Sequence, residues 1–90
     1  MPQRIVGALK AADRRAKLET GRVTAEILKA VQQGHTEGAS VLADGVVRRW
    51  APTPIALGVM TMLARQGYQV ELGPVEAKNN QTMRQIVVHL

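Results

Sequence analysis

Few residues in this chain could do chemistry. It has two histidines (His35 and His89), one serine (Ser40), seven carboxylates and no cysteine. A metal ion needs three or four ligands converging on one point, and neither cysteines nor clustered carboxylates are present to complete a set begun by histidine. Ser40, His35 and Asp44 fall within one short stretch, as a nucleophile, base and orienting acid would. However, the glycine-flanked elbow that exposes a nucleophilic serine is missing around Ser40. Glu71 and Glu76 read as exposed charges on a strand and its following loop. Gly34 and Gly38 match neither the dinucleotide nor the nucleoside-triphosphate loop. These residues predict a protein that is not an enzyme and uses no cofactor or metal.

Binding is better represented. Arg48-Arg49-Trp50 places two guanidiniums beside an indole, a set able to hold a nucleic-acid backbone and stack on a base. The same set could form a cation–π contact at the rim of a protein interface. Alternatively, Trp50 plugs the core between two helices and the arginines face water. A second basic set is Arg4, Arg15, Arg22 and Lys29, spaced 11, 7 and 7 residues apart along one helical face. That spacing is sparse for groove recognition. Asp13 and Glu19 dilute the field, so the face fits solvent or an acidic protein better than DNA.

These residues need elements to position them. At 100° per residue, Ile5, Leu9, Ala12, Ala16, Thr20, Val23, Ile27 and Ala30 fall in one stripe, which predicts a single helix over residues 4–33. A kink at Gly21 stays open, since glycine costs about 1 kcal/mol relative to alanine inside a helix. Gly34 ends the helix. Ala39 to Ala43 reads as a short strand. Asp44-Gly45 either turns a hairpin or starts an irregular segment toward Trp50. Thr53 is the expected N-cap of a helix over Ile55–Gln66, with Pro54 at its first position and Ile55, Val59, Met62 and Leu63 on one face. Residues 68–72 alternate as a half-buried strand. Residues 75–82 read as a polar loop with Asn79-Asn80 at its tip. Met83–Leu90 reads as a strand with Ile86, Val88 and Leu90 on one face, pairing antiparallel with the previous strand. The expected class is α+β, in the order α-β-α-β-β, with two helices on a small, mainly antiparallel sheet.

Composition limits what such a fold can achieve. At 90 residues it buries only about 60% of its unfolded surface, and with one Trp, one Tyr and no Phe its core must be aliphatic. The charge of +5 and pI of 10.5 suggest an acidic partner, but the excess is local. Residues 1–22 carry Arg4, Lys10, Arg14, Arg15, Lys17 and Arg22 against Asp13 and Glu19; the rest of the chain is nearly balanced. A helix of 30 residues is about 45 Å long, whereas a compact globule of this size is about 30 Å across. The expected organisation is therefore a basic, projecting half-helix over residues 1–22 and a compact domain over 23–90. Neither a secretory signal nor a membrane span is expected from the charge spacing and the short apolar runs.

The runs AEILKAVQQG, ASV, LARQGYQVEL and QIVVHL, with Gly67-Tyr68-Gln69-Val70 as the most distinctive step, resemble small phage-encoded α+β proteins. The likeness covers residues 25–90 and departs at the end, where His89-Leu90 replaces an aromatic-ended strand. It implies a phage or prophage origin, a virion-associated or accessory role in the virion or host cytoplasm, and no catalytic residues to carry over. The leading expectation is a non-enzymatic structural or assembly component. It would self-associate through Ile5, Leu9, Ala12 and Ala16, with itself or other phage structural proteins as partners and no membrane involvement. One rival is a nucleic-acid-binding regulator using Arg48, Arg49, Trp50 and the basic helix. Another is an inhibitor of a host protein.

Overall fold

A computed structural model describes the backbone of residues 2–90 and the side chains of residues 14–90. Helix α1 spans Pro2–Gln33 and runs through Gly21 without a break. The strands β1 (His35–Thr36), β2 (Ala39–Val41) and β3 (Val46–Pro52) follow, then helix α2 (Thr53–Arg65) and the strands β4 (Gln69–Lys78) and β5 (Gln81–His89). The five strands form one sheet in the order β1-β2-β3-β5-β4, and all neighbours are antiparallel. The α+β class and the long N-terminal helix are as expected from sequence. The chain carries two strands more than expected, β1 and β3.

The core is aliphatic, as the composition requires. Val23, Ile27 and Ala30 of α1 and Ile55, Ala56, Val59 and Leu63 of α2 pack on Ala39, Val47, Ala51, Ile86 and Val88 of the sheet. Both helices thus lie on one face of the sheet. The α1 stripe is the one read from its spacing, with Arg15, Arg22 and Lys29 exposed on the opposite side. On α2, Ala56 and not Met62 completes the buried face; Met62 is 38% exposed. Leu90 lies beyond β5 and is 60% exposed, so it does not extend the Ile86–Val88 face.

The turns follow their residues. Gly34, at φ 83°, donates its N–H to the Ala30 carbonyl and closes α1. Asp44-Gly45 does turn a hairpin: Gly45 donates to the Leu42 carbonyl, Leu42 donates to Val46, and Gly45 takes φ 74°. This is the three-residue loop with a left-handed glycine that joins antiparallel strands. Asn79 and Asn80 form the tip of the β4–β5 hairpin at φ 51° and 62°, the two positive angles of a type I′ turn. The expected loop over residues 75–82 is otherwise strand, with Lys78 pairing Gln81. Thr53 is not an N-cap. Pro52 occupies that place without a side-chain bond, and the Thr53 hydroxyl instead donates to the Thr82 carbonyl at 3.1 Å, tying α2 to β5.

Gly38 shows how the α1–sheet joint restricts sequence. It has φ 84°, and a Cβ there would sit 3.3 Å from Arg49 Nε and 3.7 Å from Glu26 Oε2. An L side chain in this conformation is strained by about 1–2 kcal/mol before any crowding. Gly38→Ala is expected to lower unfolding free energy by about that amount in urea denaturation, and an unchanged midpoint would contradict the placement.

Candidate interaction surfaces

Strand alternation splits the Arg48-Arg49-Trp50 cluster. Val47, Arg49 and Ala51 point toward the helices, while Arg48 and Trp50 point to the uncovered face of the sheet. Arg49 Nε donates to Glu26 of α1 at 3.0 Å, its Nη1 donates to the Trp50 carbonyl, and its side chain is 22% exposed. Arg49 is therefore a joint between β3 and α1. Arg48 reaches Asp44 at 3.4 Å. Trp50 is half-buried on the open sheet face, not between the helices, and Lys78 from the β4–β5 hairpin covers its ring at 4.0 Å from the centroid. An indole already capped by an ammonium offers less of its face to a nucleic-acid base.

The remaining candidates are distributed as follows. His35 is the cross-strand partner of Ser40, so the two share the open face, but Asp44 is turned to Arg48 and no triad assembles. His89 Nε2 lies 2.7 Å from Glu71 Oε1 on the same open face. Glu76 is exposed on the hairpin arm. Among the described residues no three histidines, cysteines or carboxylates converge as a metal site would require. Of the basic helical face, Arg15, Arg22 and Lys29 are exposed, with Arg22 paired to Glu19. That face lies on the opposite layer from Arg48 and Trp50. Of the self-association stripe, Ala16 is partly buried against the core. Arg4, Ile5, Leu9 and Ala12 lie outside the described side chains.

Charge is divided unevenly between the layers of the fold. The described helical side chains include Arg14, Arg15, Lys17, Arg22, Lys29 and Arg65 against only Glu19 and Glu26. Strands and loops balance Arg48, Arg49, Lys78 and Arg84 against Glu37, Asp44, Glu71 and Glu76. The positive excess thus belongs to the helical layer. Within that layer α2 has a single charge, Arg65 at its last turn. Its solvent side presents Pro54, Leu57, Thr61 and Ala64, and Leu57 is 45% exposed. The signal was legible as the near absence of charge in TPIALGVMTMLAR, but which side of that helix faces water depends on the sheet beneath it.

The two helices meet at small residues. A Cβ on Gly58 would lie 3.0 Å from Thr20 Cγ2, and Thr24 Oγ1 lies 3.7 Å from Met62 Sδ. Thr20 with Gly58, and Thr24 with Met62, advance four residues together, so α1 and α2 run in the same direction where they touch. Beside this contact is a surface groove of about 480 Å³ lined by Ala16, Lys17, Thr20, Gly58, Thr61 and Met62. Among the described residues no helix is long and apolar enough to cross a membrane. In comparisons with protein-family models, curated proteins and solved structures, nothing matches this chain.

Proposed function

We propose that this chain is a non-enzymatic interaction protein, a small structural or assembly component that self-associates through the N-terminal half of α1. The observation that carries this reading is the length of α1 relative to its support. The helix covers 32 residues, about 48 Å at 1.5 Å per residue, and the molecule measures 53 × 26 × 21 Å. Among the described residues the docked side chains of α1 begin at Ala16. The helix continues from there back to Pro2. The sequence of that extension keeps Ile5, Leu9 and Ala12 in phase with the docked stripe, so a second helix can bury them as the sheet and α2 bury Val23 and Ile27.

Light scattering on the full chain and on a chain lacking residues 2–13 tests the proposal. That cut spares Ala16 and Thr20, which pack on the rest of the domain. The full chain is expected to associate with rising concentration and the shortened chain to stay monomeric. Because the paired extensions carry like charge, association should strengthen with added salt, which screens that repulsion. A monomer in both cases at every concentration and salt overturns the proposal.

A further inference from the structure

The outer part of the β4–β5 hairpin has little to hold it in place. Strand β3 ends at Pro52, opposite Met83 of β5, and Met83 pairs Glu76 of β4. Beyond that pair, residues 77–82 form a ribbon of two strands with no third strand beside it. All six are exposed, so neither face of the ribbon is buried. A hairpin of two strands without an apolar face is marginal in water. Its base, in contrast, is pinned. Leu72 pairs Ile86 and Val75 pairs Arg84, which leaves Gly73 and Pro74 as a bulge opposite Gln85. Arg84 Nε donates to the Gly73 carbonyl at 3.1 Å, and the Thr53 hydroxyl donates to the Thr82 carbonyl at 3.1 Å. A bulge bends its strand and adds twist, so the ribbon leaves the sheet at an angle from a fixed base.

One contact ties the outer ribbon back to the sheet. The pairing puts Trp50, Met83, Glu76 and Lys78 on the same open face. Lys78 Nζ reaches past Glu76 and lies 4.0 Å from the centroid of the Trp50 ring. Among the described residues it pairs with no carboxylate. Trp50 is the only tryptophan of the chain. An exposed cation–π contact of this kind favours its closed arrangement only about two- to fivefold. A contact that weak positions the ribbon without locking it. We propose that residues 77–81 form a strap that exchanges between a latched position, with Lys78 over Trp50, and a lifted one. Lifting bares the indole beside Arg48, which Asp44 holds on the same face at 3.4 Å. The latch is an autoinhibitory contact: it sets how often the open face offers an aromatic platform. It does not depend on self-association through α1.

The test reads both ends of the contact in the full isotopically labelled chain. Trp50 fluorescence, with acrylamide as the quencher, reports the ring, and backbone amide relaxation reports the strap. Lys78→Gln, at an exposed position, is expected to make Trp50 more accessible to acrylamide. It should also loosen the amides of residues 77–81 and leave those of Ile27 and Ile86 unchanged. The indole N–H shift should move along one line between the latched and lifted positions, by a change in their ratio of about two- to fivefold. Lys78→Arg, which keeps the cation, should restore the original quenching and the order of the strap. Trp50→Leu should loosen the same amides, and adding Lys78→Gln to it should loosen them no further. Unchanged quenching in Lys78→Gln overturns the proposal. So does increased quenching with residues 77–81 as ordered as before, which would make Lys78 a cover on a rigid hairpin. Additive loosening in the double variant overturns it as well, because the two residues would then act separately.

Discussion

Ile27→Ala is expected to lower the unfolding free energy by about 2–5 kcal/mol, the range for truncating a fully buried aliphatic side chain. Ile27 is 0% exposed and belongs to the largest fully buried side chains of the molecule. It sits between Val23 and Ala30 on α1, the other two residues of that helix in the buried cluster. Truncation removes the transfer free energy of three carbons and leaves a cavity that a short aliphatic core, with no phenylalanine to shift into it, fills poorly. Small domains hold about 5–15 kcal/mol in total, so a large share is lost. At this size each kcal/mol corresponds to about 4–8 °C of Tm. Leu18→Ala is the control, since Leu18 is 75% exposed and such surface changes stay within about 0.5 kcal/mol. Both variants are compared by thermal and urea unfolding. Equal effects would mean that α1 does not present its Val23–Ile27–Ala30 side to the sheet.

The second large effect is a reversal of sign at Gly58. Alanine there gains about 1 kcal/mol of helix propensity over glycine. Against this, its Cβ would sit 3.0 Å from Thr20 Cγ2 and 3.1 Å from Oγ1. Thr20 is β-branched and stiff at χ1, and its hydroxyl is held by the Ala16 carbonyl, so the methyl cannot swing aside cheaply. The helices must part, disturbing the Thr24–Met62 contact and the buried residues below. Overpacking of this kind costs about 1–3 kcal/mol. Gly58→Ala is thus expected to be neutral to destabilising alone and stabilising in a Thr20→Ala background. The coupling from the four-variant cycle should reach about 1–3 kcal/mol, as for residues in direct contact. Additive effects would show that α1 and α2 are not packed at this point.

The helices were legible because their signals are local and periodic. The α1 stripe holds phase for over twenty residues, and a glycine stands at its end. The hairpin tip was legible for a similar reason: Asn79-Asn80 tolerates the left-handed angles that a two-residue turn needs. Of strand β3 only the start was legible, from the turn signal at Asp44-Gly45. Val46-Val47-Arg48-Arg49-Trp50 shows no two-residue alternation, because apolar and charged side chains occur on both of its faces. Val46 is buried on the side away from the helices, while Arg49 faces them and is neutralised by Glu26, a residue 23 positions earlier in the chain. The outer part of the β4–β5 hairpin was not legible either. Residues 75–78 extend past the core, are exposed and are held as strand by backbone pairing with β5, which leaves no hydrophobic pattern.

The candidate surfaces divide in the same way. Sequence alone determined that the excess charge is basic and weighted toward the first helix, that the core is aliphatic, and that Arg15, Arg22 and Lys29 share a face of α1. Each of these follows from composition or from a period along one element. Only the tertiary structure decided that Arg49 leaves the Arg48–Trp50 cluster to bind α1, that Lys78 caps Trp50, and that Ala16, Lys17 and Thr20 meet Gly58, Thr61 and Met62 in one groove. Those outcomes depend on which face of a strand or helix meets which neighbour. That choice is made by packing between residues tens of positions apart, and no local pattern of residue types records it.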